Sequence, residues 1–245
     1  MKSHNILGII PARFGSSRFP GKPLVDIDGS PMVVRVAKQA LQSKLINKVI
    51  VATDDSRISD VCNLHGIDVV ITSSKHPSGT DRCLEAYHKM QEKFDVVVNI
   101  QGDEPFIPPS HIDDLCECFE DNNCEIATLI HRSYDKNAGE NSNRIKVVKD
   151  LNNYALYFSR GTIPFNRTLK PDSFLLHIGL YAYKVNVLEK IASLPPSQLE
   201  ETEMLEQLRW LENGYRIKTK LVDKPAFAID TPEDLEHLIK SLPHR

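Results

Sequence analysis

Four short apolar runs, set between stretches of helical spacing, constrain this chain most. The runs are Ile6–Ile10, Lys48–Thr53, Asp68–Thr72 and Asp95–Ile100. Their length suits strands buried on both faces. After the first run, Met32, Val33, Val36, Ala37 and Leu41 recur at helical spacing within 31–41. Ser56 to His65 reads as a helix closed by Gly66, and a third helix starts at Thr80-Asp81-Arg82 and runs to about Lys93. This alternation predicts βαβ units, hence an α/β fold: a mostly parallel sheet with helices on both faces, in three layers. In such sheets ligands sit beyond the carboxyl ends of the strands. The segments after Ile10 and Ile100 are therefore expected to share one edge.

The second half reads as more antiparallel. Ser110-x-x-Asp113 has the form of a capping box for a helix to about Glu120. A strand over 125–131 follows, then a polar loop over 135–143. Segments 144–149 and 154–159, joined by Asp150-Leu151-Asn152-Asn153, predict a hairpin. Phe174 to Tyr183 is a long strand, 185–194 a helix stopped by Pro195-Pro196, and 200–212 a helix ended by Asn213-Gly214. Strands are expected at 217–222 and 226–229. Thr231 and Pro232 then open a last helix. No Gly/Ser/Pro-rich linker divides the halves, so residues 1–245 are read as a single domain.

A net charge of −3 argues against a nucleic-acid binder, which usually carries a basic excess. No stretch approaches the ~18 apolar residues that span a membrane, and the N-terminal run is too short for a signal sequence. Five cysteines (Cys62, Cys83, Cys116, Cys118, Cys124) show no metal-ligand spacing. Reduced thiols and a cytoplasmic location are the expectation.

Against that mildly acidic background, the loop after the first strand stands out. Pro11 to Pro23 holds Arg13, Arg18 and Lys22, the hydroxyls of Ser16 and Ser17, and Gly15 and Gly21, with no acid before Asp26. Forked arginine donors and a lysine point charge match phosphate oxygens. The loop reads either as a polyphosphate cradle or as a basic surface loop; its place after a buried strand favours the cradle. It is not a P-loop, because five residues separate its glycines and Pro23 stands where the metal-binding hydroxyl would be. The dinucleotide fingerprint is absent as well.

Asp103 and Asp230 each follow a predicted strand. Two such carboxylates with phosphate oxygens make a magnesium site; the plainer readings are a turn aspartate and a helix cap. Glu104 reads as a solvated neighbour or an outer group. Along the strand over 175–183, period two places His177, Gly179, Tyr181 and Tyr183 on one face, suited either to a polyol ligand or to an ordinary core. Arg160 could pair with a substrate carboxylate or with a protein one. Glu203, Glu206 and Gln207 fall on one helical face. Ser78-Gly79-Thr80-Asp81-Arg82 could offer backbone amides and Arg82 to a nucleotide.

The stretch from Arg13 to Leu24 resembles the N-terminal signature of sugar-activating cytidylyltransferases. Gln101-Gly102-Asp103-Glu104-Pro105, Tyr154 to Arg160, His177-Ile178-Gly179-Leu180-Tyr181, Glu203 to Arg209 and Asp230 to Leu235 follow in order. Together they resemble the 3-deoxy-manno-octulosonate (Kdo) cytidylyltransferases of lipopolysaccharide assembly, over nearly the whole chain. The resemblance implies a nucleotide-diphospho-sugar transferase fold, a homodimer, and transfer of CMP from CTP to Kdo with magnesium. It implies that Arg13, Ser16, Arg18 and Lys22 hold the triphosphate, with Ser78 and Arg82 beside the nucleotide. Asp103 and Asp230 would ligate magnesium. Gln101, Arg160, His177, Tyr181, Glu206 and Gln207 would line the Kdo site. Lys22, Arg13, Asp103 and Asp230 would carry the catalysis. Segment 132–143 fits the pattern poorly and is assigned nothing. Two other readings stay open: a transferase for 8-amino-Kdo or sialic acid, and a non-catalytic nucleotide-sugar binding module.

Overall fold

The computed structural model describes residues 4–15, 19–168, 173–225, 227–229 and 231–241. It comprises two compact units. One is formed by Lys2–Asp113 with Ala226–Arg245, the other by Asp114–Pro225.

In chain order the first unit contains β1 (Ile6–Ala12), a two-residue ribbon of β2 (Asp26–Ile27) and β3 (Ser30–Pro31), and α1 (Met32–Ala40). It continues with β4 (Lys48–Thr53), α2 (Ser56–Leu64), β5 (Val69–Ile71), α3 (Gly79–His88) and β6 (Val96–Asn99), and α4 (Pro109–Glu117) begins at its end. Strands β6, β1, β4 and β5 lie side by side in that order, all parallel, as the alternation predicts. The run on β5 is not buried on both faces: it is an edge strand, with Ile71 52% exposed. The other three runs are buried as expected, with Leu7, Ile9, Ile10, Val51, Val97 and Val98 fully covered. Each such side chain contributes roughly 1.5–3 kcal/mol. Helix α1 buries Met32, Val33, Val36 and Ala37 of the expected stripe, but Leu41 is its C-cap and is exposed, and Ala40 is buried instead. Asp55 caps α2 by accepting from the Arg57 amide (3.0 Å).

Several expectations fail in this unit. Helix α3 ends at His88, five residues short of Lys93. The chain turns there, with the Met90 amide on the Tyr87 carbonyl (2.9 Å), and then buries Phe94 ahead of β6. Ser110 and Asp113 do not form a capping box. Helix α4 already begins at Pro109, and the Asp113 carboxylate accepts from Ser43 Oγ (2.6 Å) and the Lys44 amide (2.9 Å) instead.

The C-terminal helix Pro232–Ser241 belongs to this unit and starts as expected. Thr231 Oγ1 accepts from the Asp234 amide (3.3 Å), and Asp234 Oδ2 accepts from the Thr231 amide (2.9 Å). No strand forms over 227–229; the Ile229 amide donates to the Asp103 carbonyl (2.9 Å). Ile229 packs in a small core with Ile27 and Met32.

The second unit contains β7 (Ile126–Ser133), α5 (Lys136–Glu140), β8 (Lys146–Lys149), β9 (Ala155–Ser159), β10 (Phe174–Lys184), α6 (Val185–Ala192), α7 (Gln198–Glu203), α8 (Glu206–Glu212) and β11 (Ile217–Val222). Strand β7 is parallel to β11 and antiparallel to β10; β10 pairs antiparallel with β8, and β8 with β9. The predicted hairpin and the antiparallel character are both present.

Here too there are differences. The polar segment after Ser133 folds a short helix, α5, capped by Asp135. The expected helix over 200–212 is two helices. Met204 adopts left-handed φ 52°, which ends α7, and Leu205 is extended before α8 begins. Glu203 and Glu206 therefore lie on different helices. The buried Lys146 donates to three carbonyls, those of Asn141 (3.0 Å), Arg144 (2.8 Å) and Arg160 (2.5 Å). Burial lowers its pKa below the ordinary lysine value. An ammonium has three donors, and these three acceptors match them.

All five cysteines are buried. Among the described residues no helix is long and apolar enough to cross a membrane.

Candidate active site

In the first unit, the carboxyl ends of β1 and β6 and the start of α3 enclose a pocket of about 250 Å³. It collects six residues singled out from sequence: Arg13, Lys22, Ser78, Arg82, Gln101 and Asp103. Parallel strands deliver Arg13 and Asp103 to one edge although ninety residues separate them. Gly102 makes the closeness possible. A Cβ there would stand 2.9 Å from the Pro11 carbonyl oxygen, so only glycine lets the two strand ends approach. Gly21, at φ 73°, turns the first loop back so that its amide donates to the Phe14 carbonyl (3.0 Å). Lys22 follows at the start of a one-turn 3-10 helix.

Lys22 Nζ donates to Asp103 Oδ2 (2.8 Å) and to the Ile229 carbonyl (2.9 Å). Both side chains are largely buried, so screening is weak and the pair is held firmly. Ser78 caps α3: its Oγ accepts from the Asp81 amide (3.2 Å) and donates to Asp81 Oδ2 (2.6 Å). Arg82 is 3% exposed and donates to Thr72 Oγ1 (2.6 Å), with Asp54 Oδ1 at 3.4 Å. Ser16, Arg18 and Asp230 lie outside the described residues.

Magnesium fits this donor set in one form. Among the described residues no group of three His, Cys, Asp or Glu side chains converges. Asp103, however, faces the pocket with its Oδ1 bonded to no described residue. Magnesium commonly takes one or two carboxylates and fills its shell with water and phosphate oxygens.

Glu104 is neither solvated nor an exposed neighbour. It is 5% exposed, and its Oε2 has no hydrogen-bond partner among the described residues. Burial, and then the charge of Asp103, push its carboxyl up to about 8. The turn after β6 folds the side chain inward: the Ile107 amide closes on the Glu104 carbonyl at 3.1 Å.

The second unit holds a polar-aromatic cluster on β10. The rings of His177 and Tyr181 are 5.3 Å apart, and those of Tyr181 and Tyr183 are 6.0 Å apart and stacked. The expected face survives a bulge between Ile178 and Tyr181 because the register slips by an even number of residues. Thr128 on β7 fills the bulge. Its Oγ1 donates to the Leu180 carbonyl (2.8 Å) and lies 3.0 Å from His177 Nε2. A hydroxyl has one proton, so Nε2–H donates to it. Packing against Phe158 and Tyr181 holds the imidazole down to about 3, so it is neutral at physiological pH. Burial raises the Tyr181 phenol. Trp210 packs edge-on against both tyrosines.

Gln207 belongs to the same helix as Trp210. Gln207 Nε2 and Trp210 Nε1 are buried donors with no partner among the described residues. Such groups ordinarily find water or a ligand. Glu206 accepts from Arg209 Nη2 (2.9 Å). Arg160 is fixed by backbone rather than by a side-chain carboxylate. Its guanidinium donates to the carbonyls of Glu203 (2.6 Å), Ser142 (3.1 Å) and Met204 (3.3 Å). The Glu203 carboxylate meanwhile takes Ser159 Oγ (2.7 Å) and the Arg160 amide (2.9 Å).

Sequence reasoning missed two residues here. Thr128 was legible only as one hydroxyl inside an apolar strand. His76, which lines the first unit's pocket, lies in a loop with no periodicity to mark it.

The family described as cytidylyltransferase matches residues 7–219. A 3-deoxy-manno-octulosonate cytidylyltransferase of Parabacteroides distasonis is 51% identical over 249 residues, covering 98% of each chain. Its namesake in Bacteroides thetaiotaomicron is 50% identical over 248 residues, again covering 98% of each. Among solved structures, a CMP:2-keto-3-deoxy-manno-octonic acid synthetase complexed with CTP superposes with a TM-score of 0.92 at 40% identity, over 96% of this chain and 97% of that one. With a match across most of its length and half of its residues shared with such relatives, the chain belongs to the cytidylyltransferase family.

Proposed function

We propose that this chain transfers CMP from CTP to Kdo, releasing pyrophosphate and supplying CMP-Kdo for lipopolysaccharide assembly. The observation that carries the reading is the pocket of the first unit, where Arg13, Lys22 and Arg82 meet Asp103 beyond parallel strand ends. Relatives at about half identity that bear the name of this activity support it.

In this reaction the anomeric hydroxyl of Kdo attacks the α-phosphorus of CTP, a P–O bond forms, and the bond to the β-phosphate oxygen breaks. Positioning and charge neutralisation dominate such transfers. Arg13 and Lys22 bind the β- and γ-phosphates and offset the charge that grows on departing pyrophosphate. Ser78 and Arg82 seat the nucleoside. The Lys22–Asp103 pair holds the ammonium in place before substrate arrives. Asp103, with Asp230, would hold magnesium, which when bound neutralises phosphate charge. In the second unit, His177, Tyr181, Glu206 and Gln207 offer donors and acceptors to the sugar hydroxyls, and Arg160 offers charge to the sugar carboxylate. Gln101 lines the nucleotide pocket and is assigned to the sugar-facing set.

A cytoplasmic homodimer completes the reading. Leu151, Leu156, Phe165 and Met204 are well exposed in the second unit, as a subunit contact would require. Light scattering after gel filtration tests the dimer. The test of function is pyrophosphate release with magnesium, each of the four NTPs, and Kdo, 8-amino-Kdo or sialic acid. Release with CTP and Kdo alone is expected. Release only with another sugar acid moves the substrate, and no release by a folded protein that binds CTP refutes the transferase.

A further inference from the structure

We infer that His76 reads the nucleobase, its open imidazole nitrogen accepting from the exocyclic amine of cytosine. The inference rests on the nucleotide role proposed for the first unit's pocket and adds to it the residue that selects the base.

His76 lines that pocket with Ser78 and Arg82. Its Nε2 lies against Glu85 Oε2. Glu85 also accepts from the Ser73 amide (2.8 Å) and pairs with Lys89 Nζ (2.6 Å). Lys89, then the Ser73 amide, hold the Glu85 carboxyl down to about 2, so it is ionised and can only accept. Nε2 therefore carries the proton, and in the neutral ring Nδ1 is a lone-pair acceptor. No described residue donates to Nδ1, and it is not among the buried unpaired atoms, so it is open.

Arg82 supplies the complementary half. One terminal nitrogen is used by Thr72 and Asp54. Its other N–H groups donate to no described residue. An acceptor and donors in one pocket match cytosine, whose N4 amine donates while N3 and O2 accept. Uracil reverses the pattern at positions 4 and 3, with a carbonyl and an N–H. A pocket arranged this way discriminates because the wrong base leaves buried polar groups unpaired. Pro11 and Pro77 also line the pocket and suit a flat ring.

The test compares CTP and UTP on the full chain by displacement of a fluorescent cytidine nucleotide, with kcat/KM for both measured in parallel. Wild type is expected to prefer CTP. His76→Leu should lose about 10- to 100-fold in CTP affinity with UTP nearly unchanged. His76→Asn, whose side-chain carbonyl can still accept, should recover part of the difference. Equal weakening of CTP and UTP in His76→Leu, or an unchanged CTP/UTP ratio in both folded variants, would overturn the assignment while leaving the transferase reading intact. A wild-type protein that binds neither nucleotide would overturn both.

Discussion

Replacing Glu104 with glutamine should stabilise the protein, by an amount that grows with pH. The Glu104 carboxyl is 5% exposed and titrates at about 8 in the folded chain, against 4.5 for the free side chain, through burial first and the neighbouring Asp103 charge second. Below pH 4.5 both folded and unfolded states keep the proton and nothing is lost. Between 4.5 and 8 the unfolded chain releases it and the folded chain does not. The native state then binds more protons, so stability falls as pH rises, by about 1.4 kcal/mol per pH unit. The whole interval corresponds to on the order of 5 kcal/mol, and the part between pH 5 and 8 to about 3 kcal/mol. Glutamine keeps the shape of the protonated acid and cannot ionise. Urea unfolding followed by circular dichroism at pH 5, 6, 7 and 8, in EDTA, measures both proteins. The stability gap in favour of Glu104→Gln should widen by about 3 kcal/mol across that range. A gap that stays constant within about 1 kcal/mol would show that Glu104 is not a buried neutral acid, and the reasoning would fail.

Lys22→Ala should lower turnover about 10²- to 10³-fold, the usual cost of one transition-state donor; pyrophosphate release under saturating CTP measures it. Gly102→Ala places a Cβ 2.9 Å from the Pro11 carbonyl oxygen. It should destabilise the chain by about 1–3 kcal/mol and weaken nucleotide binding, read by thermal melting and by displacement of a fluorescent nucleotide. Lys146→Met leaves three carbonyls without their common donor. A loss of about 2–4 kcal/mol in urea unfolding is expected; a loss under 1 kcal/mol would contradict the three-carbonyl account.

What could be read from the sequence follows a physical divide. Lys48–Thr53 was found at its true bounds because a strand buried on both faces needs a nearly continuous apolar run, and Ile217–Val222 because Ile217 and Thr219 alternate with Lys218 and Lys220 as a half-buried strand requires. Arg13, Lys22 and Asp103 met as expected because parallel strands send their carboxyl ends to one edge. Illegible features depend on a single backbone turn or a distant partner. The left-handed Met204 that splits the expected 200–212 helix has no glycine to announce it. Asp113 sits at the right spacing for a cap, yet its carboxylate belongs to the loop at Ser43. Glu104 follows Asp103 in sequence and resembles it, and only the inward fold of the turn separates a buried acid from an accessible one. The residues proposed to face the sugar were named from family resemblance; spacing alone favoured a core reading of His177.

Arg160 carries a consequence for the thermodynamics of anion capture. A free arginine side chain surrenders about 2 kcal/mol of rotamer entropy when it is immobilised. Here three carbonyls, those of Ser142, Glu203 and Met204, immobilise it during folding. An anion that docks on this guanidinium meets a group already at rest. Its association should therefore carry a smaller entropic penalty than docking on a mobile surface arginine, and calorimetry of Arg160→Lys, whose ammonium lacks the planar fork, would show that penalty return.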